Sequence, residues 1–86
     1  MRAVEFHPRA LDDLSFWIRE DKRTALRIMG LVDACIADPF KGLGKPEPLK
    51  SELRGLWSRR TNAEHRIIYR VTEDRIMVMQ CRYHYE

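Results

Sequence analysis

No apolar run in this 86-residue sequence exceeds a few residues, so nothing in it reaches the roughly 20 needed to cross a bilayer as a helix. The opening Met1-Arg2-Ala3-Val4-Glu5 lacks the apolar stretch of a signal peptide, so export is not expected and the cytoplasm is the expected compartment. Cysteine is scarce. Cys35 and Cys81 stand far apart, each in an apolar segment, and predict two reduced core thiols rather than a disulfide framework. The three histidines, His7, His65 and His84, share no ligand spacing with one another or with cysteine, which argues against a structural zinc site. There is also too little chain for a second core, so residues 1–86 are expected to form one domain.

Charge is abundant and unevenly placed. Residues 1–43 hold seven Lys/Arg and seven Asp/Glu, whereas residues 44–86 hold nine and six, so the whole net charge of +3 lies in the second half. Such a one-sided surface attracts a polyanion, although charge alone fits a solvated face equally well.

The apolar spacing predicts an α+β fold. Arg2–Phe6 alternates and reads as a short first strand, and Pro8 suits the first turn of a helix. Ala10, Leu11, Leu14, Trp17 and Ile18 follow at helical spacing. A second helix is expected from the capping residue Asp21 to about Asp38, before Pro39, with a stripe of Ala25, Ile28, Met29, Val32, Cys35 and Ile36. After the Gly/Pro-rich residues 39–50, three strands are expected at about Gly55–Arg60, His65–Val71 and Arg75–Tyr83. The architecture is then a small antiparallel sheet with two N-terminal helices packed on one face. Strand parity puts His65, Ile67, Tyr69 and Val71 with Met77, Met79, Cys81 and Tyr83 towards the helices. Arg66, Ile68 and Arg70 fall on the open face with Val78, Gln80, Arg82 and His84. His65 is accordingly read as a structural histidine, and Trp17 as core.

In residues 39–50, Pro46 and Pro48 lock the backbone on either side of Glu47, holding a carboxylate more firmly than a plain loop requires. Glu47, Arg66, His84 and Tyr85 together supply the parts that metal-free RNA cleavage needs: a base for the 2′-hydroxyl, a cation for the phosphorane, an acid for the leaving oxygen and an assisting phenol. Singly, each has a blander explanation as a solvated surface group or a chain-end residue.

Four strings carry these residues: Gly44-Lys45-Pro46-Glu47-Pro48-Leu49-Lys50, Gly55-Leu56-Trp57-Ser58-Arg59-Arg60, Glu64-His65-Arg66-Ile67-Ile68-Tyr69 and Cys81-Arg82-Tyr83-His84-Tyr85. In order and spacing they resemble the YoeB (Txe) toxins of the RelE superfamily. The resemblance implies the RelE-like, microbial-ribonuclease-like fold and a toxin of a type II toxin–antitoxin system. It further implies a ribosome-dependent, metal-independent endoribonuclease that cuts mRNA in the A site and needs no cofactor. By position it implies Glu47 as general base, Arg66 as transition-state stabiliser, His84 as general acid and Tyr85 as the residue orienting the substrate. Lys45, Lys50, Arg59 and Arg60 fall among positions that line the site and contact RNA. A cognate antitoxin of the YefM/Axe kind covering the active site, the ribosome with its mRNA, and a second copy in a homodimer are the implied partners; a membrane is not among them. The chain departs from the family pattern at Phe6, His7 and Leu14 in the scaffold half, and Glu86 adds a residue after Tyr85. The alternatives are a non-catalytic ParE-like inhibitor of DNA gyrase, which lacks this residue set, and a ribosome- or RNA-binding module of the same fold.

Overall fold

Pro8 sits in the first turn of helix α1 (Pro8–Glu20), where its missing N–H forfeits no intrahelical bond. His7 caps that end, its Nδ1 accepting a 3.1 Å hydrogen bond from the Arg9 amide. Asp21 then closes one helix and opens the next. Its N–H donates to the Trp17 carbonyl, while its carboxylate accepts from the Thr24 hydroxyl and amide in helix α2 (Lys22–Ala37). Those two bonds, the hydroxyl's first, hold the Asp21 carboxyl below the usual carboxylate range. Helix α2 ends at Asp38, and Pro39 follows, as the sequence predicts.

The computed structural model describes residues 1–83. Its five strands, β1 (Ala3–Phe6), β2 (Glu47–Pro48), β3 (Leu56–Arg60), β4 (Arg66–Val71) and β5 (Arg75–Gln80), form one sheet in the order β1-β5-β4-β3-β2. Strands β2 to β5 pair antiparallel, but β1 runs parallel to β5. The expected antiparallel sheet is therefore mixed, because the helix hairpin interposed after β1 supplies the crossover that a parallel pair needs. Both helices pack on one face, joining Trp17, Ile28, Leu31, Val32 and Cys35 to Ile67, Tyr69, Ile76 and Val78 in a single core. Among the described residues no helix is long and apolar enough to cross a membrane.

Three details of the predicted packing are corrected. On α2, Leu31 is fully buried while Met29 is 42% exposed, so the inward stripe is rotated by part of a turn from the one predicted. Leu11 and Ile18 of α1 are also exposed. On β5, Ile76 and Val78 face the helices, and Met77, opposite Arg70, faces away. The cause is a bulge: Ile68 pairs with Gln80 but Tyr69 with Val78, which leaves Met79 as an extra residue and reverses the parity of the chain beyond it. Cys81, beyond the bulge, returns to the core as the sequence predicts, and its carbonyl accepts a 2.9 Å bond from Trp17 Nε1.

Candidate functional site

The face of the sheet away from the helices is read off the pairing: Ser58 stands opposite Ile68 and Glu47, and Arg60 opposite Arg66. Glu47, predicted in a loop, lies on β2, so the ladder as well as its flanking prolines fixes its backbone. Arg66 begins β4, and its Nη1 donates to Glu47 Oε1 at 2.9 Å and to the buried Ser58 Oγ at 3.1 Å. The Arg66 side chain is 20% exposed and that of Glu47 55%, so the pair is anchored from beneath and open to solvent above. Exposed ion pairs of this kind contribute little to stability, typically under about 1 kcal/mol. What the geometry supplies is a carboxylate and a fixed guanidinium side by side, reachable from outside.

The loop before Glu47 is held by close backbone approach. Gly44, at φ +84°, accepts a 2.6 Å bond from the Arg60 amide through its carbonyl. A Cβ on Gly44 would lie 2.8 Å from Leu31 Cδ2 and 3.1 Å from the Arg60 carbonyl, so only glycine fits there. Lys45 follows with a left-handed φ of +52° and an exposed side chain. Lys50 is exposed too, preceding a 3-10 turn at Ser51–Leu53.

Arg59 requires a correction. It faces the helix side, opposite Ile67, and is 0% exposed, so it is not an RNA-contacting residue. Its guanidinium donates to the Asp38, Lys41 and Leu43 carbonyls and, through Nε at 3.1 Å, to the Tyr69 hydroxyl. That hydroxyl donates onward to the Pro39 carbonyl at 2.8 Å, and burial pushes its pKa up to about 12. Arg60, the next residue, is exposed on the opposite face.

His84 and Tyr85 lie outside the described residues; the residue before them does not. The Tyr83 amide donates to His65 Nδ1 at 2.7 Å, and the Tyr83 carbonyl accepts from the Arg66 amide at 3.1 Å. Tyr83 adopts a left-handed φ of +61°, uncommon for a tyrosine. His65 is buried edge-on to Trp17 with ring centroids 4.7 Å apart, the structural placement its parity predicts. Arg82 is drawn off the open face, its guanidinium 3.6 Å from the centroid of the Phe16 ring on α1. Trp57 packs on Phe40 and the core. Sequence reasoning missed Ser58, whose only signal was sharing Arg60's parity on β3. No group of three His, Cys, Asp or Glu that could hold a metal ion occurs among the described residues.

A helix hairpin on one face of a five-stranded sheet, with a carboxylate–guanidinium pair on the other, is the arrangement that the resemblance to RelE-like toxins implies. The comparisons narrow this further. The family described as the YoeB-like toxin of bacterial type II toxin–antitoxin systems matches residues 6–85. Toxin RelK of Mycobacterium tuberculosis is 49% identical over 85 residues, covering 99% of this chain and all of that protein. Toxin YoeB of Escherichia coli K12 is 49% identical over 74 residues, covering 86% of this chain and 88% of that one. The structure of a YoeB/ParE toxin from Agrobacterium tumefaciens superposes with a TM-score of 0.93 at 46% identity, over 96% of this chain and 99% of that one. The chain belongs to the YoeB-like toxin family of bacterial type II toxin–antitoxin systems.

Proposed function

We propose that this toxin is a ribosome-dependent endoribonuclease that cuts mRNA in the A site. The observation that carries the reading is Arg66 Nη1 at 2.9 Å from Glu47 Oε1 on the solvent-open sheet face. In the proposed reaction the Glu47 carboxylate takes the proton of a 2′-hydroxyl, whose oxygen attacks the adjacent phosphorus. Arg66, already aimed by Ser58, stabilises the charge of the phosphorane. His84 gives a proton to the departing 5′-oxygen, and Tyr85 orients the nucleotide. The products are a 2′,3′-cyclic phosphate and a 5′-hydroxyl, which balances the proton taken against the proton given. Lys45, Lys50 and Arg60, all exposed, are the proposed RNA-contacting cations. Action on ribosomes places the protein in the cytoplasm.

The partners are inferred from the solved relatives. A YoeB–YefM complex from Staphylococcus aureus contains a toxin 36% identical to this chain with a TM-score of 0.88, and a YoeB dimer from the same organism is 38% identical with a TM-score of 0.90. A YefM-like antitoxin that covers the Arg60–Arg66 face and a homodimer are accordingly proposed for this chain.

The test is primer extension on mRNA in programmed ribosomes. Wild type is expected to cut within the A-site codon and leave the cyclic phosphate, and Glu47→Ala or Arg66→Ala to lower the rate at least about a hundredfold. Cutting at the wild-type rate by both variants, or an uncut transcript with wild type, would overturn the reading. An uncut transcript is what a non-catalytic ParE-like or ribosome-binding protein would give.

A further inference from the structure

Between α2 and the turn that follows β3 lies a cavity of about 310 Å³, lined by neither Glu47 nor Arg66. Arg27 of α2, Lys45, Arg60, Thr61 and Asn62 are among its walls, and none of its lining side chains is acidic. Arg27 is fixed there, its Nε donating to the Thr61 carbonyl. Among the described residues no carboxylate pairs with Arg27, Lys45 or Arg60. Thr61 is 1% exposed, yet its hydroxyl has no hydrogen-bond partner among the described residues. A buried hydroxyl left without a partner is uncommon enough to require an explanation. The turn beyond it is rigid: the Thr61 amide donates to the His65 carbonyl at 3.0 Å, and Asn62 Oδ1 accepts from the Glu64 and His65 amides.

We propose that this cavity binds a non-scissile phosphodiester of the RNA, next to the one that is cut. Three cations with no carboxylate partner among the described residues, and a buried hydroxyl unpaired among them, match a group whose oxygens only accept hydrogen bonds. The position selects RNA over a free anion. Arg60 is the cross-strand neighbour of Arg66, and Lys45 stands two residues before Glu47. In the proposed register, an RNA strand whose scissile phosphate lies at Arg66 brings its next phosphate to this opening. Arg27 and Thr61 thereby become substrate-positioning residues that lie outside the catalytic set. The inference rests on the ribonuclease reading for the register of the RNA, and on the cavity alone for its chemistry.

The probe is a short 2′-O-methyl RNA, which binds but cannot be cut, followed by fluorescence anisotropy across a salt series. Arg27→Gln is expected to weaken binding about tenfold and to flatten the slope of log affinity against log salt by about 0.7, the loss of one phosphate contact on a single strand. Thr61→Val, which removes only the hydroxyl, is expected to weaken binding about threefold without lowering the melting temperature. On programmed ribosomes both variants should raise the half-saturating toxin concentration and hold the maximal cutting rate within about twofold of wild type. The amide resonances of Thr61, Asn62 and Ala63 should shift with this RNA.

Wild-type affinity and slope in both variants would overturn the proposal, and so would a shift of those amides by orthophosphate or an acidic peptide but not by RNA. A wild type that leaves mRNA uncut while Arg27→Gln still flattens the salt slope would refute the ribonuclease reading and retain the phosphate site.

Discussion

Replacing Arg59 with methionine removes a guanidinium from the interior and leaves the strand around it intact. The perturbed contacts are four: the Asp38, Lys41 and Leu43 carbonyls and the Tyr69 hydroxyl all lose their donor. Hydrogen bonds from a charged donor are worth roughly 1.5–3 kcal/mol each, but burying the uncompensated cation costs several kcal/mol that methionine avoids. The three carbonyls belong to a surface loop that can turn them to water, and Tyr69 retains its bond to Pro39. The balance is a loss of about 3 kcal/mol, or a melting temperature lower by about 15 °C in a domain of this size. Thermal unfolding followed by circular dichroism measures it, alongside RNA affinity at a temperature where the variant is folded. The expected result is a large fall in stability with affinity within about twofold of wild type. Unchanged stability with a tenfold loss of RNA affinity would refute the reasoning and return Arg59 to the RNA-contacting set.

Two further outcomes rest on contacts of the same kind. His65→Phe retains a ring against Trp17 but removes the acceptor of the Tyr83 amide, so mRNA cutting should fall about tenfold through misplacement of the chain that leads to His84. His65→Asn, which restores an acceptor near Nδ1, should recover most of it, and equal activity in the two variants would sink the idea. Cys81 is raised to about 12 by burial and then by the Asp13 charge, against an ordinary value of 9.0. The folded chain therefore keeps a proton that the unfolded chain has lost, so the contribution is complete below pH 9 and is lost as pH rises towards 12. At pH 10.5 it amounts to about 2 kcal/mol, and Cys81→Ala should flatten the alkaline limb of a urea-denaturation series. An unaltered limb would count against it.

The helices were legible because each carries its own signals: Pro8 and Asp21 at the starts, Pro39 beyond the end, and a stripe at helical spacing. Strands β1, β3 and β4 were legible in extent to within a residue, but β5 ends at Gln80, three residues short of the expected Tyr83, β2 was read as loop, and the arrangement was not legible. Parallel pairing of β1 with β5 depends on where the helix hairpin returns the chain, and no local pattern encodes that. The bulge at Met79 is a property of two strands in register, so alternation read from β5 alone put Met77 and Val78 on the wrong faces. Arg59 failed for a related reason. A charged residue next to Arg60 reads as surface, and the carbonyls that satisfy it come from 16 to 21 residues earlier in the chain. The Glu47–Arg66 contact was foreseen only as joint membership of a site, whereas the role of Ser58 beneath Arg66 appears only once β2, β3 and β4 are paired.

That pairing also explains why adjacent residues carry unlike tasks. Arg59 and Arg60 are neighbours on β3, and His65 and Arg66 are neighbours where β4 begins, yet in each couple one member is buried and the other opens to solvent. The sheet thereby separates what stabilises the fold from what the proposed function assigns to substrate. Substitutions at Arg59, His65 or Tyr69 are expected to act through the core, and those at Ser58, Arg60 or Arg66 through the proposed site. The separation breaks down at Tyr83, whose amide is held by the structural His65 and whose carbonyl is held by the amide of Arg66. A change on the helix side can therefore reach the proposed site along one backbone segment. This makes His65 the position where a loss of cutting should accompany a modest loss of stability, whereas at Arg59 stability alone should fall.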